Sequence, residues 1–173
     1  MSILASVCSM DVCIAVYFAY IYSVLKYGII IWGTSTDFGK LFIAQKAIIR
    51  TLTHSSRRTS CRQLFRKLNI LTLPSIYILE ILITVYRNPQ LFNKYLPAHN
   101  YSTRHNKLFQ FPIHSFKKFE SSPLYMGLKI YNKIPTSFKN LSEKNFYSSI
   151  KEILIKKAYY SIEEFLNDDN FSV

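Results

Sequence analysis

Glycine is scarce, with four in 173 residues. Gly28, Gly33, Gly39 and Gly127 stand too far apart to build a phosphate-cradling loop. Acidic residues are scarce as well, ten against twenty-two lysines and arginines. Asp11, Asp37, Glu80 and Glu120 are isolated from one another along the chain, so no pair suggests the convergent carboxylates of two-metal phosphoryl transfer. Cys8, Cys13 and Cys61 are odd in number and lack CxxC spacing. That excludes a disulfide scaffold and points to a reducing compartment, nuclear or cytoplasmic. His54, His99, His105 and His114 fall into no zinc pattern, so neither metal nor other cofactor is expected. A GxSxG nucleophile turn is missing too. With these features absent, the chain is not expected to be an enzyme.

What is present is apolar and basic. Nearly half the residues are hydrophobic and 16% are aromatic, enough for a buried core and too much for disorder. The net charge is +12, and it is unevenly placed. Residues 40–67 hold eight basic side chains and no acidic one, and residues 81–119 again lack Asp and Glu. Glu163, Glu164, Asp168 and Asp169 gather at the far end. Basic stretches without neutralising carboxylates create the positive field that a phosphate backbone attracts. Lys46, Arg50, Arg57, Arg58, Arg62, Arg66 and Lys67 cluster around one helix–loop–helix and are the candidate backbone contacts. Tyr101, Arg104 and His105 mix an aromatic ring, a guanidinium and an imidazole, as stacking on unpaired bases favours. RNA or DNA is the expected partner. The competing readings are a solvated basic face for the first group and a loop pinned to the body by Tyr101 and Arg104 for the second.

The hydrophobic pattern is helical nearly throughout, which predicts an all-α fold: an irregular helical bundle with one long basic loop. Residues 14–31 read as one apolar helix, broken at Gly28 and buried in the core. Its charge-free run is short for a membrane span, and its tyrosines are scattered instead of held at the ends. Asp37 is the expected N-cap of a helix with Leu41, Gln45 or Ala44, Ile48 and Leu52 on one face. Ser60 and Gln63 form an expected capping box, opening a helix with Leu64 and Leu68 inward. Pro74 suits the first turn of a deeply buried helix that Pro89 stops. Residues 97–123 read as an irregular basic stretch, followed by a short helix at 124–132. A strong helix from Ser142 carries Phe146, Ile150, Ile153 and Leu154 on one face. Ser161 and Glu164 make a closing capping box.

Six strings in order resemble the region after the polymerase domain in non-LTR retrotransposon reverse transcriptases of the jockey- and LINE-like kind. The pattern S-x-L-x-Y-G-I-x-x-W-G is matched by Ser23, Leu25, Tyr27, Gly28, Ile29, Trp32 and Gly33. Q-K-x-x-I-R falls on Gln45, Lys46, Ile49 and Arg50, and S-C-R-x-L-F-x-x-L-x-I-L-T-L on residues 60–73. H-x-Y-x-T-R falls on His99, Tyr101, Thr103 and Arg104. S-P-x-Y-x-G-x-K-x-Y-N-x-x-P falls on residues 122–135, and Y-S-x-x-E-F on residues 160–165.

The resemblance implies a thumb-like or connection region over 14–96, the basic loop at 97–123 and a C-terminal helical region at 124–173. Residues 1–13 match poorly. In the family this part helps hold template RNA and target DNA during target-primed reverse transcription. The family's F/Y-A-D-D aspartates do not occur here, so no catalytic residue carries over. The expectation is a truncated C-terminal fragment of an RNA-directed DNA polymerase, non-catalytic by itself and binding nucleic-acid backbone. An upstream polymerase domain is a further possible partner. Packing against one would leave apolar surface exposed near residues 17–32 of the isolated chain. The alternatives are a small membrane protein anchored by residues 12–32, and an inert genomic relic.

Overall fold

The computed structural model describes residues 6–92, 109–169 and 171. Among them the chain is helical, without a strand, as the patterning predicts. Helix α1 begins at Met10–Val16, widens into a π-helical Tyr17–Tyr22 and ends with Ser23–Lys26. It is followed by α2 (Ile29–Trp32), α3 (Phe38–Leu52), α4 (Cys61–Lys67), α5 (Leu73–Arg87) and α6 (Pro89–Phe92). A 3₁₀ turn at Lys117–Ser121 leads into α7 (Pro123–Lys133), α8 (Thr136–Lys139), α9 (Glu143–Lys157) and α10 (Ile162–Asn167).

The bundle is built around α5. Its sequence LPSIYILEILITVYR is aliphatic on nearly every side, so it forms no single stripe and is stable only when enclosed. Helices α1, α2, α3, α7, α9 and α10 all pack on it. The Thr72 hydroxyl accepts from the Ser75 amide at 3.3 Å and donates to the Tyr159 carbonyl at 2.5 Å. That one cap both starts α5 and ties it to the end of α9. Pro74 sits in the first turn, where a missing amide costs nothing. Glu80 reaches the edge of the bundle and pairs with Lys26 at 3.0 Å.

Two polar arrangements, one buried and one half-buried, hold the other helices in register. Gln45 is 1% exposed. Its side-chain amide donates to the Tyr17 hydroxyl at 2.9 Å and the Leu71 carbonyl at 3.0 Å, while its oxygen accepts from the Leu73 amide at 2.8 Å. One side chain thus joins α1, α3 and the start of α5. On the other side, Asn132 clasps the returning chain, accepting from the Phe109 amide and donating to the Phe109 carbonyl, both at 2.8 Å. A small second core of Val85, Phe92 and Leu128 lies beneath that clasp.

Several local expectations are corrected. Helix α1 is not a buried core helix. Cys13 and Tyr17 face the core, but Val12, Tyr20 and Val24 are exposed, as are Tyr27 and Ile31 beyond it. The chain does expose apolar surface near residues 17–32. The break at Gly28 occurs as expected, in the left-handed region at φ 63°. Gly33 is needed for a different reason: a Cβ there would overlap the buried Tyr77 ring. The buried stripe of α3 is Phe42, Gln45, Ile49 and Leu52, leaving Leu41 exposed and Ile48 half-buried. Adjacent apolar pairs left the phase open, and the Phe42 ring settles it by packing edge-on against Tyr160 at 5.2 Å.

Asp37 has helical backbone angles instead of the extended ones of a cap, and its carboxylate pairs with Lys40 at 2.7 Å. Ser60 is extended but makes no capping bond, and α4 buries Cys61 and Phe65, not Leu64 and Leu68. The Ser161 cap forms, accepting from the Glu164 amide at 3.0 Å, while the Glu164 carboxylate reaches back to the Tyr160 amide at 2.7 Å. Of the predicted loop at 97–123, residues 109–116 are irregular, the 3₁₀ turn follows, and Ser122 and Pro123 cap and start α7; residues 97–108 lie outside the described residues. Among the described residues, no helix is long and apolar enough to cross a membrane.

Candidate nucleic-acid interface

The sequence between α3 and α4, THSSRRTS, is rich in hydroxyls, and they close it into a defined turn. Thr53 Oγ1 donates to the Ile49 carbonyl at 3.0 Å and lies 2.9 Å from Ser55 Oγ. The Ser55 amide donates to the Arg50 carbonyl at 2.9 Å, and Ser56 Oγ lies 3.2 Å from Thr59 Oγ1. Arg50 Nε spans the turn and donates to the Thr59 carbonyl at 3.0 Å. Arg57 and Arg58 sit at the exposed tip, and neither forms an ion pair among the described residues. Beside them an open groove of about 650 Å³ follows the outer face of α3, lined by Ile43, Ala47, Arg50, Thr51, His54 and Arg57 among others.

The remaining candidates divide sharply. Arg62 grips Glu164 with both ends of its fork, Nη1 to Oε1 at 2.7 Å and Nη2 to Oε2 at 3.1 Å. Its guanidinium also lies 4.6 Å from the centre of the Tyr160 ring. Lys46 Nζ is 4.6 Å from the Phe42 ring centre and 5.4 Å from that of Tyr160. Tyr160 is therefore a platform for two cations that join α3 and α4 to the end of the chain. Arg66 Nη2 donates to the Lys157 carbonyl at 3.1 Å, supplying a donor where the last turn of α9 has none left. Lys67 is exposed and without an ion pair among the described residues. Tyr101, Arg104 and His105 lie outside the described residues.

Lys46, Arg50, Arg57, Arg58, Arg62, Arg66 and Lys67, on α3, α4 and the turn between them, fall into two roles. Lys46, Arg50, Arg62 and Arg66 hold the fold, whereas Arg57, Arg58 and Lys67 present unpaired charge. Sequence reasoning missed Tyr160 and Glu164 as the partners of Arg62, because Glu164 lies 102 positions away. Glu164 is affected in opposing directions: burial raises its pKa, but the Arg62 hydrogen bond, the Tyr160 amide and the Arg62 charge prevail. The carboxyl ends below its ordinary value.

Cys61, next to this cluster, is no activated nucleophile. Burial pushes its thiol up against the opposing pull of Arg50 and Lys46, and it faces the Lys46 carbonyl at 3.6 Å. Among the described residues, six of the ten carboxylates (Asp37, Glu80, Glu143, Glu164, Asp168 and Asp169) form ion pairs with Lys or Arg. Among the described residues, no group of three or more His, Cys, Asp and Glu comes together to hold a metal ion.

No protein-family model, curated protein or solved structure matches the chain.

Proposed function

We propose that this chain is a non-catalytic nucleic-acid-binding region of the kind that follows the polymerase domain in non-LTR retrotransposon reverse transcriptases. It contacts phosphate backbone without reading base sequence. The observation that carries this reading is the hydroxyl-closed turn between α3 and α4, which holds Arg57 and Arg58 outward without carboxylate partners. Lys67 at the end of α4 extends the same charge. The ordered strings, from Tyr27-Gly28 to Tyr160-Ser161, support the family resemblance. Several of their residues have defined structural work: Gln45 joins three helices, Gly33 admits Tyr77, and Asn132 clasps Phe109.

Counterion release supplies the test. Binding of the purified chain to a single-stranded RNA labelled with a fluorophore is measured from about 50 to 200 mM salt. A few phosphate contacts predict affinity falling by roughly 10- to 100-fold over that range, with no preference among unrelated sequences. Affinity that ignores salt, or no binding at the low end, would falsify the reading.

A further inference from the structure

We propose that the chain pairs with a second copy of itself through the outer face of α1, with Tyr20 of each copy seated in the hollow beside α2 of the other. The inner face of α1 carries Cys13 and Tyr17, with Ile21 and Leu25 packed partly against the core. The outer face carries Val12, Val16, Tyr20 and Val24, four residues apart at each step. In an α-helix positions four apart drift by about 40° around the axis. The wider π turn at Tyr17–Tyr22 drifts the other way, so the outer row stays nearly straight over roughly 18 Å.

Directly beyond the row is an apolar hollow of about 470 Å³ lined by Val24, Leu25, Tyr27, Ile31, Trp32 and Leu41, with Gly28 at its edge. Tyr20 is 72% exposed and lies one turn from Val24, the first wall of that hollow. Knob and hole therefore lie side by side on one face, as a two-fold interface requires. Val12, Tyr20, Val24, Tyr27, Ile31 and Leu41 together expose roughly 800 Å². That is above the patches typical of monomers and close to the ~800 Å² each partner gives to a stable complex.

Charge favours this face over the rest of the surface. A chain of net charge +12 repels its own copy over most of its surface. Lys26 and Lys40, on the two helices that flank the hollow, are paired with Glu80 and Asp37. A lipid surface fits less well, because interfacial helices back their apolar face with a polar face of lysines and arginines, whereas the other side of α1 packs on the core.

Sedimentation of the full chain from about 1 to 100 µM in 0.3 M salt is the test. Wild type is expected to pass from the 20.3 kDa monomer to a dimer in this range. Val24→Glu should weaken the dimer by about 100-fold and Tyr20→Ala by about 10-fold, with helical signal and melting temperature unchanged because both side chains face outward. Three outcomes overturn the proposal: a wild-type monomer at 100 µM, a dimer indifferent to both substitutions, or a monomer that instead floats with phosphatidylglycerol vesicles.

Discussion

Tyr77 carries a hydroxyl that the fold does not use. Its side chain is fully buried beneath Gly33 and edge-on to Phe38 at 6.5 Å, and its oxygen has no hydrogen-bond partner among the described residues. Removing a buried, unpaired polar group without changing shape is stabilising. Tyr77→Phe should therefore raise stability by about 1 kcal/mol, read as a melting temperature higher by about 3 °C. Glu164 shows the opposite case, a polar side chain with every partner present. Because its folded pKa is depressed, it contributes stability above the ordinary carboxylate pKa and loses it as pH falls through the folded value. Glu164→Gln should cost about 1 kcal/mol at pH 7, modest because each partner is about a third exposed. The gap from wild type should begin to narrow as pH falls through the ordinary glutamate pKa and close below the depressed folded value, in urea titrations run across that range. A gap constant with pH would show that Arg62 is not its electrostatic partner.

Among the helices, Gln45 does what no hydrophobic residue could at that position. It supplies the Leu73 amide with an acceptor at the start of α5 and spans to Tyr17 on α1. Gln45→Leu keeps the volume but leaves that amide, the Leu71 carbonyl and the Tyr17 hydroxyl unpaired. The expected loss is about 2–4 kcal/mol, measured as a lower urea midpoint. A loss under about 0.5 kcal/mol would mean that the three helices are positioned by packing alone.

Legibility in the sequence follows the same physics. Helices α5, α7 and α9 were readable because a cap or a first-turn proline marks their starts and a clear apolar pattern runs through them. The phase of α3 and α4 was not readable, since Leu41-Phe42, Ile48-Ile49 and Leu64-Phe65 offer two apolar choices at each inward position. Hydropathy alone also misplaced α1, whose outer row is as apolar as its inner one. The basic cluster was found as a cluster, but its division into structural and unpaired cations depended on Tyr160 and Glu164, far away in the chain.

For the whole molecule, the arrangement separates two surfaces. The turn between α3 and α4, and Lys67 at the far end of α4, present positive charge without ion pairs among the described residues, while the outer face of α1 has almost no charge. Most carboxylates are engaged in ion pairs that brace the bundle, among them Lys26–Glu80, Arg87–Glu143 and Lys157–Asp168. They do not neutralise the turn. The central claim is that Arg57, Arg58 and Lys67 touch phosphate while Lys46 and Arg62 hold the fold. The salt titration of RNA binding, repeated on two variants, addresses it directly. Arg57→Ala/Arg58→Ala/Lys67→Ala should lower the slope of log affinity against log salt by about 2–3 and leave the melting temperature unchanged. Arg62→Ala should lower the melting temperature and leave the slope within about 0.5 of wild type. A triple variant with the wild-type slope, or an Arg62 variant that loses as much slope as the triple, would contradict the account.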